Sequence, residues 1–235
     1  MLLISVCYRK ADFNLIQFGN SRTFISGFTN PRNKDSVSGI FCIWDKRMTK
    51  LIILDRDGVI NQDSDHYVRS VQEWIPIPGS IEAIARLTNA GYQIAVATNQ
   101  SGIARGYFSL QVLEAMHEKM LTLVKAQGGH IDGIYFCPHG PEDDCHCRKP
   151  DTGLIEQALQ KFNGTPEHVW VVGDSLRDLQ AGAKCGCKIA LVLTGKGLKT
   201  QAKLSESPEE LPVTMDVPVF NNLQHFVEAL VSEGI

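Results

Sequence analysis

The chain has 235 residues, 43% of them hydrophobic, with a net charge of −3 and seven cysteines. That length suits one large domain with a substantial core, with room for a small attachment. The absence of a basic excess argues against a nucleic-acid partner, and no apolar run reaches membrane-spanning length.

The opening "MLLISVC" is too short for a signal-peptide core and is followed by no small-residue cleavage site, so the expected location is cytoplasmic. An odd, scattered set of cysteines in a chain this long does not resemble a secreted disulfide scaffold. In a reducing compartment, clustered cysteines more often bind metal.

Residues 1–47 read as an N-terminal extension. "FGNSRTFISGFTNPRNKDSVSG" is rich in Asn, Ser and Gly and has no sustained period. It is expected either to be poorly ordered or to be translated sequence upstream of a start at Met48. The main domain is then 48–235.

From Lys50 the pattern becomes regular. "LIILD" (51–55) predicts a buried strand, "SIEAIARLTNAGY" (80–92) an amphipathic helix stopped at Gly91, and "QIAVATN" (93–99) a second strand. "SLQVLEAMHEKMLTLVKAQGG" (109–129) predicts a long helix capped by Ser109 and ended by glycines. Strands at 131–138, 169–174 and 189–197 alternate with helices at 152–162, 175–186 and 221–233. Continuous apolar strands alternating with helices imply an α/β fold, a Rossmann-like parallel sheet with helices on both faces.

Three predicted strands end in polar residues: Asp55, Thr98-Asn99 and Gly173-Asp174. In an open parallel sheet, ligands bind outside the carboxyl ends of the strands, so these ends can meet at one crevice. In "LDRDGVIN", Asp55 and Asp57 point to one side of an extended backbone and Gly58 permits a sharp turn. Two close carboxylates suit a divalent cation or a nucleophile and acid pair, or form only an Asp-rich turn. "TNQSG" offers donors for phosphate oxygens, or a helix cap. Lys149 is either a fixed cation or a solvated lysine. Asp174 and Asp178 complete a Mg²⁺ site, hold Lys149, or serve the dipole of the following helix.

Together, "DRDG", "ATNQSG", "RKP" and "VVGDSLRD" resemble the four motifs of the haloacid dehalogenase superfamily of phosphatases, in order over nearly all of residues 50–195. The resemblance implies that Asp55 is the nucleophile and forms an aspartyl-phosphate, and that Asp57 is the general acid/base. It implies that Thr98 and Asn99 hold the phosphoryl group and Lys149 neutralises its charge. Asp55, the Asp57 carbonyl and Asp174 would bind catalytic Mg²⁺. The chain departs from the common "DGT" with Val59, which removes a hydroxyl but no proposed catalytic group.

"CPHGPEDDCHCRKP" (137–150) carries Cys137, His139, Cys145 and Cys147, a set that suits tetrahedral, closed and therefore structural Zn²⁺. Reduced free thiols or a disulfide are the alternatives. His146, between two candidate ligands, is expected to point away, and Cys7, Cys42, Cys185 and Cys187 read as ordinary small residues. A zinc-loop insert before "CRKP", with no large cap domain, resembles two related families, the D-glycero-D-manno-heptose 1,7-bisphosphate phosphatases and the histidinol-phosphate phosphatases. "TNQSGIARGYF" is more similar to the first, which acts in nucleotide-activated heptose and lipopolysaccharide core synthesis. That resemblance implies a small phosphorylated sugar as substrate, with Arg105 and Arg148 as further cations and Tyr67, Gln100 and Ser101 shaping the pocket. A monomer is expected. A histidinol-phosphate phosphatase, or a non-catalytic zinc-binding interaction module, remains the alternative.

Overall fold

The structure is a computed structural model that describes residues 3–6, 50–211 and 217–233. Seven strands form one parallel sheet in the order β1-β4-β3-β2-β5-β6-β7. The strands are β1 (Leu3–Val6), β2 (Leu51–Leu54), β3 (Gln93–Asn99), β4 (Gly133–Cys137), β5 (Trp170–Gly173), β6 (Lys188–Val192) and β7 (Val219–Phe220). The helices are α1 (Ser80–Asn89), α2 (Leu110–Ala126), α3 (Gly153–Phe162), α4 (Leu176–Lys184), α5 (Gly197–Glu206) and α6 (Leu223–Glu233).

The apolar strand runs are continuous because both faces are covered. Ile52, Leu54, Ile94, Val96, Ile134 and Phe136 pack with residues of α1, α2 and α6 on one face. Their alternating neighbours Leu51, Ile53, Ala95, Ala97 and Tyr135 pack with α3 and α4 on the other. Val59 is fully buried in the first cluster, so an apolar side chain suits that position. Cys187 lies in the second, with Cys185 packed against it, and burial pushes their thiols up to about 12 and about 11.

From β2 the chain builds outward through β3 and β4, then crosses back to place β5 on the other side of β2. This reversal opens a crevice beside the carboxyl end of β2, the switch point where open α/β sheets bind ligands. The segment joining β2 to α1 contains no helix or separate sheet, so among the described residues no large cap covers the crevice.

Ser109 caps α2 as expected, its Oγ accepting from the Val112 N–H at 3.4 Å. Three elements were missed in the sequence. β7 is an edge strand of two residues, too short for a period to register, and β1 is an edge strand of four residues. The expectation for residues 1–47 set β1 aside with the extension; the rest of that segment lies outside the described residues. α5 buries only Gly197 and Thr200 fully, so it carries little amphipathic signal, and β6 ends at Val192 rather than running to Gly197. No described helix is long and apolar enough to cross a membrane.

Candidate active site and metal-binding loop

The three polar strand ends meet as expected. Asp55 follows β2, with its N–H bonded to the Val172 carbonyl of β5 at 2.9 Å. Residues 56–61 then turn tightly, with the Ile60 and Asn61 N–H groups both donating to the Arg56 carbonyl. Gly58 and Gly195 sit at φ +84° and +57°, and a Cβ on either would collide with the Asp174 carboxylate. Glycine at both places therefore makes room for Asp174 as well as for the turn. The Asp174 carboxylate also accepts from the Lys196 N–H at 2.7 Å.

Asp55, Asp57, Thr98, Asn99 and Asp174 line a polar cavity of about 200 Å³ that also receives Tyr67, Gln100, Ser101, Arg148 and Arg177. Lys149 is buried at its floor. Its Nζ donates to Asp55 Oδ1 at 2.9 Å and to the Ala97 carbonyl at 2.7 Å, and pairs with Asp178. Of the alternatives open for Asp178, the geometry selects a partner for Lys149. Asp178 also closes a capping box with Ser175 at the start of α4.

Asn99 makes two bonds to the Lys149 backbone: its Nδ2 donates to the carbonyl at 3.0 Å and its Oδ1 accepts from the N–H at 3.1 Å. Its side chain thus fixes Lys149, a role sequence reasoning did not give it. The Thr98 hydroxyl accepts from Gln100 Nε2 at 2.9 Å, which leaves its own proton available.

Asp57 is held by donors alone. Arg56 Nη2 reaches both carboxylate oxygens at 2.9 Å, Asn61 Nδ2 donates to Oδ1 at 2.8 Å, and Gln100 Nε2 donates to Oδ2 at 2.9 Å. Burial by itself would raise the Asp57 pKa. The Arg56 charge and these hydrogen bonds outweigh burial and hold it below the usual range. The opposite holds for two neighbours. Burial, then repulsion from nearby carboxylates, pushes Asp55 to about 7 against the pull of Lys149, and Asp174 to about 8. Carboxylates so short of positive charge fit a divalent cation. Asp55, Asp174 and Asp178 bring ligand oxygens within 4.8 Å of one another, although Asp178 is already engaged by Lys149.

The loop after β4 gathers Cys137, His139, Cys145 and Cys147, with their ligand atoms within 4.8 Å of one another. The Cys137 and Cys145 sulfurs are 3.7 Å apart, and His139 Nδ1 lies 3.7 Å from Cys137 Sγ and 3.3 Å from Cys147 Sγ. A tetrahedron with metal–sulfur bonds of about 2.3 Å has edges of about 3.7 Å, so the spacing fits zinc. It is too long for a disulfide, whose bond is about 2.05 Å. His146 points outward, 67% exposed, and pairs with Glu156 at 2.9 Å. The cluster is tied to the cavity twice: the Gln100 N–H donates to the Cys137 carbonyl at 2.7 Å, and Arg148 Nη1 donates to the His139 carbonyl at 3.2 Å.

The predicted pocket residues separate into two groups. Tyr67, Gln100, Ser101 and Arg148 line the cavity. Arg105 does not; it sits exposed in the turn 101–106, its N–H bonded to the Ser101 carbonyl. The cation sequence reasoning missed is Arg177, half-buried in the cavity wall and close enough to Arg148 to help lower its pKa, after burial. The signal was present in "SLRD", one residue before Asp178. Arg56 was also missed, because a buried arginine looks like any surface cation in a sequence.

Known proteins resemble this chain over most of its length. The family described as "HAD-hyrolase-like" matches residues 146–218. The D-glycero-beta-D-manno-heptose-1,7-bisphosphate 7-phosphatase of Neisseria meningitidis is 56% identical over 185 residues, which cover 79% of this chain and 96% of the relative. That of Pseudomonas aeruginosa is 51% identical over 180 residues, 77% of this chain and 97% of the relative. The crystal structure of D,D-heptose 1.7-bisphosphate phosphatase from B. bronchiseptica complexed with magnesium and phosphate matches with a TM-score of 0.73 and 48% identity, over 78% of this chain and 99% of that one. The chain belongs to the heptose-1,7-bisphosphate 7-phosphatase family of HAD-like phosphatases.

Proposed function

We infer that the protein hydrolyses the 7-phosphate of D-glycero-D-manno-heptose 1,7-bisphosphate and releases heptose 1-phosphate, a step toward nucleotide-activated heptose and lipopolysaccharide core. The observation that carries this reading is a single cavity in which Asp55 and Asp57 face Lys149, with a cysteine–histidine cluster fixing Lys149 and Arg148 from behind. Similarity over nearly the whole length of the curated relatives supports it and disfavours histidinol phosphate.

In this reading an Asp55 carboxylate oxygen attacks phosphorus. The bond from phosphorus to the C7 oxygen breaks, and Asp57, which must first take up a proton against the Arg56 charge that favours its ionised form, gives that oxygen the proton. The aspartyl-phosphate is then attacked by water, whose proton Asp57 accepts, and phosphate leaves with Asp55 regenerated. Lys149 and the Thr98 hydroxyl hold the phosphoryl oxygens, and Asn99 aims Lys149. Asp55, the Asp57 carbonyl and Asp174 would hold Mg²⁺, which when bound offsets the negative charge of nucleophile and phosphoryl group. Cys137, His139, Cys145 and Cys147 would hold structural Zn²⁺.

Arg148 and Arg177 have no carboxylate partner among the described residues and line the same cavity, so they suit the second phosphate. Tyr67, Gln100 and Ser101 shape the sugar pocket. The enzyme acts as a monomer in the cytoplasm, where reduced thiols persist, and residues 1–47 extend a phosphatase domain at 48–235. Phosphorus NMR of the product tests the regiochemistry: loss of the 7-phosphate signal with the 1-phosphate retained is expected, and the reverse would overturn it.

A further inference from the structure

Arg56 lines the cavity and leads to two buried side chains, His117 and Phe136, and the mechanism above uses none of the three. Arg56 is 1% exposed and grips the Asp57 carboxylate. Its remaining Nη1 points away from the site, 3.4 Å from Nε2 of His117 on α2. His117 is also 1% exposed, and its ring packs edge to face on Phe136 of β4, with centroids 6.1 Å apart.

The protonation state follows from the neighbours. Burial, then the Arg56 charge, hold His117 neutral, pushed down to about 3, with Asp57 opposing weakly. Nε2 faces a guanidinium N–H, so it is the bare acceptor nitrogen and the proton sits on Nδ1. Nδ1 has no hydrogen-bond partner among the described residues. An unsatisfied buried donor is destabilising, a cost that an apolar ring of similar size would avoid. The histidine is therefore poorly explained as filler. What it supplies that phenylalanine cannot is an acceptor for Arg56.

We propose that His117 is a positioning residue for the acid–base step: acting through Arg56, it fixes where the Asp57 carboxylate sits relative to the leaving oxygen. The guanidinium is rigid and planar, so an acceptor on Nη1 sets the plane from which Nε and Nη2 address Asp57. Without it, Arg56 keeps its ion pair but can rotate, and Asp57 rotates with it. Small errors of aim in a catalytic group cost up to about 10²-fold in rate.

The inference rests on the proposed use of Asp57, and leaving-group dependence tests it. An alkoxide leaving group needs the proton from Asp57, whereas p-nitrophenolate leaves without one. His117→Phe and His117→Gln would be compared with wild type by rapid-quench measurement of enzyme phosphorylation. The substrates are heptose 1,7-bisphosphate and p-nitrophenyl phosphate, with glycerol 2-phosphate as a second alkyl ester. Thermal melts of each variant serve as the folding control.

For His117→Phe we expect alkyl-ester phosphorylation to slow about tenfold, with KM and the p-nitrophenolate burst within twofold of wild type. Glutamine, which keeps an acceptor, should restore most of the rate. Equal slowing on both leaving groups, no slowing on either, or no recovery with glutamine would overturn the proposal. A wild type active on glycerol 2-phosphate but not on the heptose would instead overturn the substrate reading, and the glycerol ester would still decide the role of His117.

Discussion

Lys149 Nζ lies 2.9 Å from Asp55 Oδ1, although 94 positions separate the two residues. β2 delivers Asp55 from the centre of the sheet. Lys149 comes from a loop with no regular structure, two residues after Cys147 of the metal-binding cluster. A strand end is fixed by its sheet; a loop needs another constraint, and here the cluster on one side and the two Asn99 bonds on the other supply it.

Lys149 and Asp178 are both 2% exposed, so removing the ammonium leaves buried carboxylates without their partner. Lys149→Met should lower stability by about 3–5 kcal/mol in chemical denaturation. It should also lower kcat by about 10²–10³-fold, as expected on losing a donor to the transition state. Asp55→Asn should lower kcat by at least about 10⁴-fold while the protein stays folded by circular dichroism, because the nucleophile alone is lost.

Cys145→Ser should lose zinc by metal analysis, lower the melting temperature and reduce kcat together. A structural site contributes directly to folding, and this one also sets the position of Lys149. Full zinc occupancy in the variant would count against the four-ligand assignment. In the metal-free protein, a thiol reagent at pH 7 should modify Cys137, which hydrogen bonding, first from Cys147, brings down to about 6 against burial, before Cys185 and Cys187, whose thiols burial raises to about 11 and about 12.

Arg148→Ala and Arg177→Ala should each raise KM for the bisphosphate about 10–100-fold, equivalent to one charge-assisted contact of about 1.5–3 kcal/mol. KM for p-nitrophenyl phosphate, which has no second phosphate, should change little. Arg105→Ala decides whether this exposed arginine reaches the substrate: a raised KM for the bisphosphate alone is the result expected of a substrate contact, and unchanged values would remove it from that role.

His117 also leaves a mark on stability against pH. Its folded pKa is depressed from 6.5 to about 3, so the unfolded chain binds the proton first as pH falls. Its contribution is fully present above about pH 6.5 and is lost progressively down to about pH 3, with a limiting slope of about 1.4 kcal/mol per pH unit. His117→Phe should remove that part of the acid sensitivity. Identical acid-denaturation profiles for variant and wild type would contradict a buried neutral histidine.

What could be read from the residues follows what each feature depends on. The five inner strands and the motif ends Asp55, Thr98 and Asp174 were legible because apolar runs, and the polar residues that stop them, are local. The metal cluster was legible because all four ligands lie within eleven positions. Arg105 was singled out and Arg177 overlooked because in sequence both are arginines beside a motif, and only the three-dimensional path separates a turn in solvent from a cavity wall. The link from Asp57 through Arg56 to His117 spans 61 positions from arginine to histidine and joins a strand end to a helix face. No spacing rule reaches that far. α5 escaped because it buries too little to show a period.

The most direct test is the ratio of kcat/KM for heptose 1,7-bisphosphate to that for histidinol phosphate, measured by phosphate release with Mg²⁺ present and both heptose anomers assayed. A ratio of at least about 10² for one anomer, abolished by Asp55→Asn, is the result predicted here, since a site built for two phosphates rejects a substrate that lacks one. A ratio below one for both anomers would contradict the assignment.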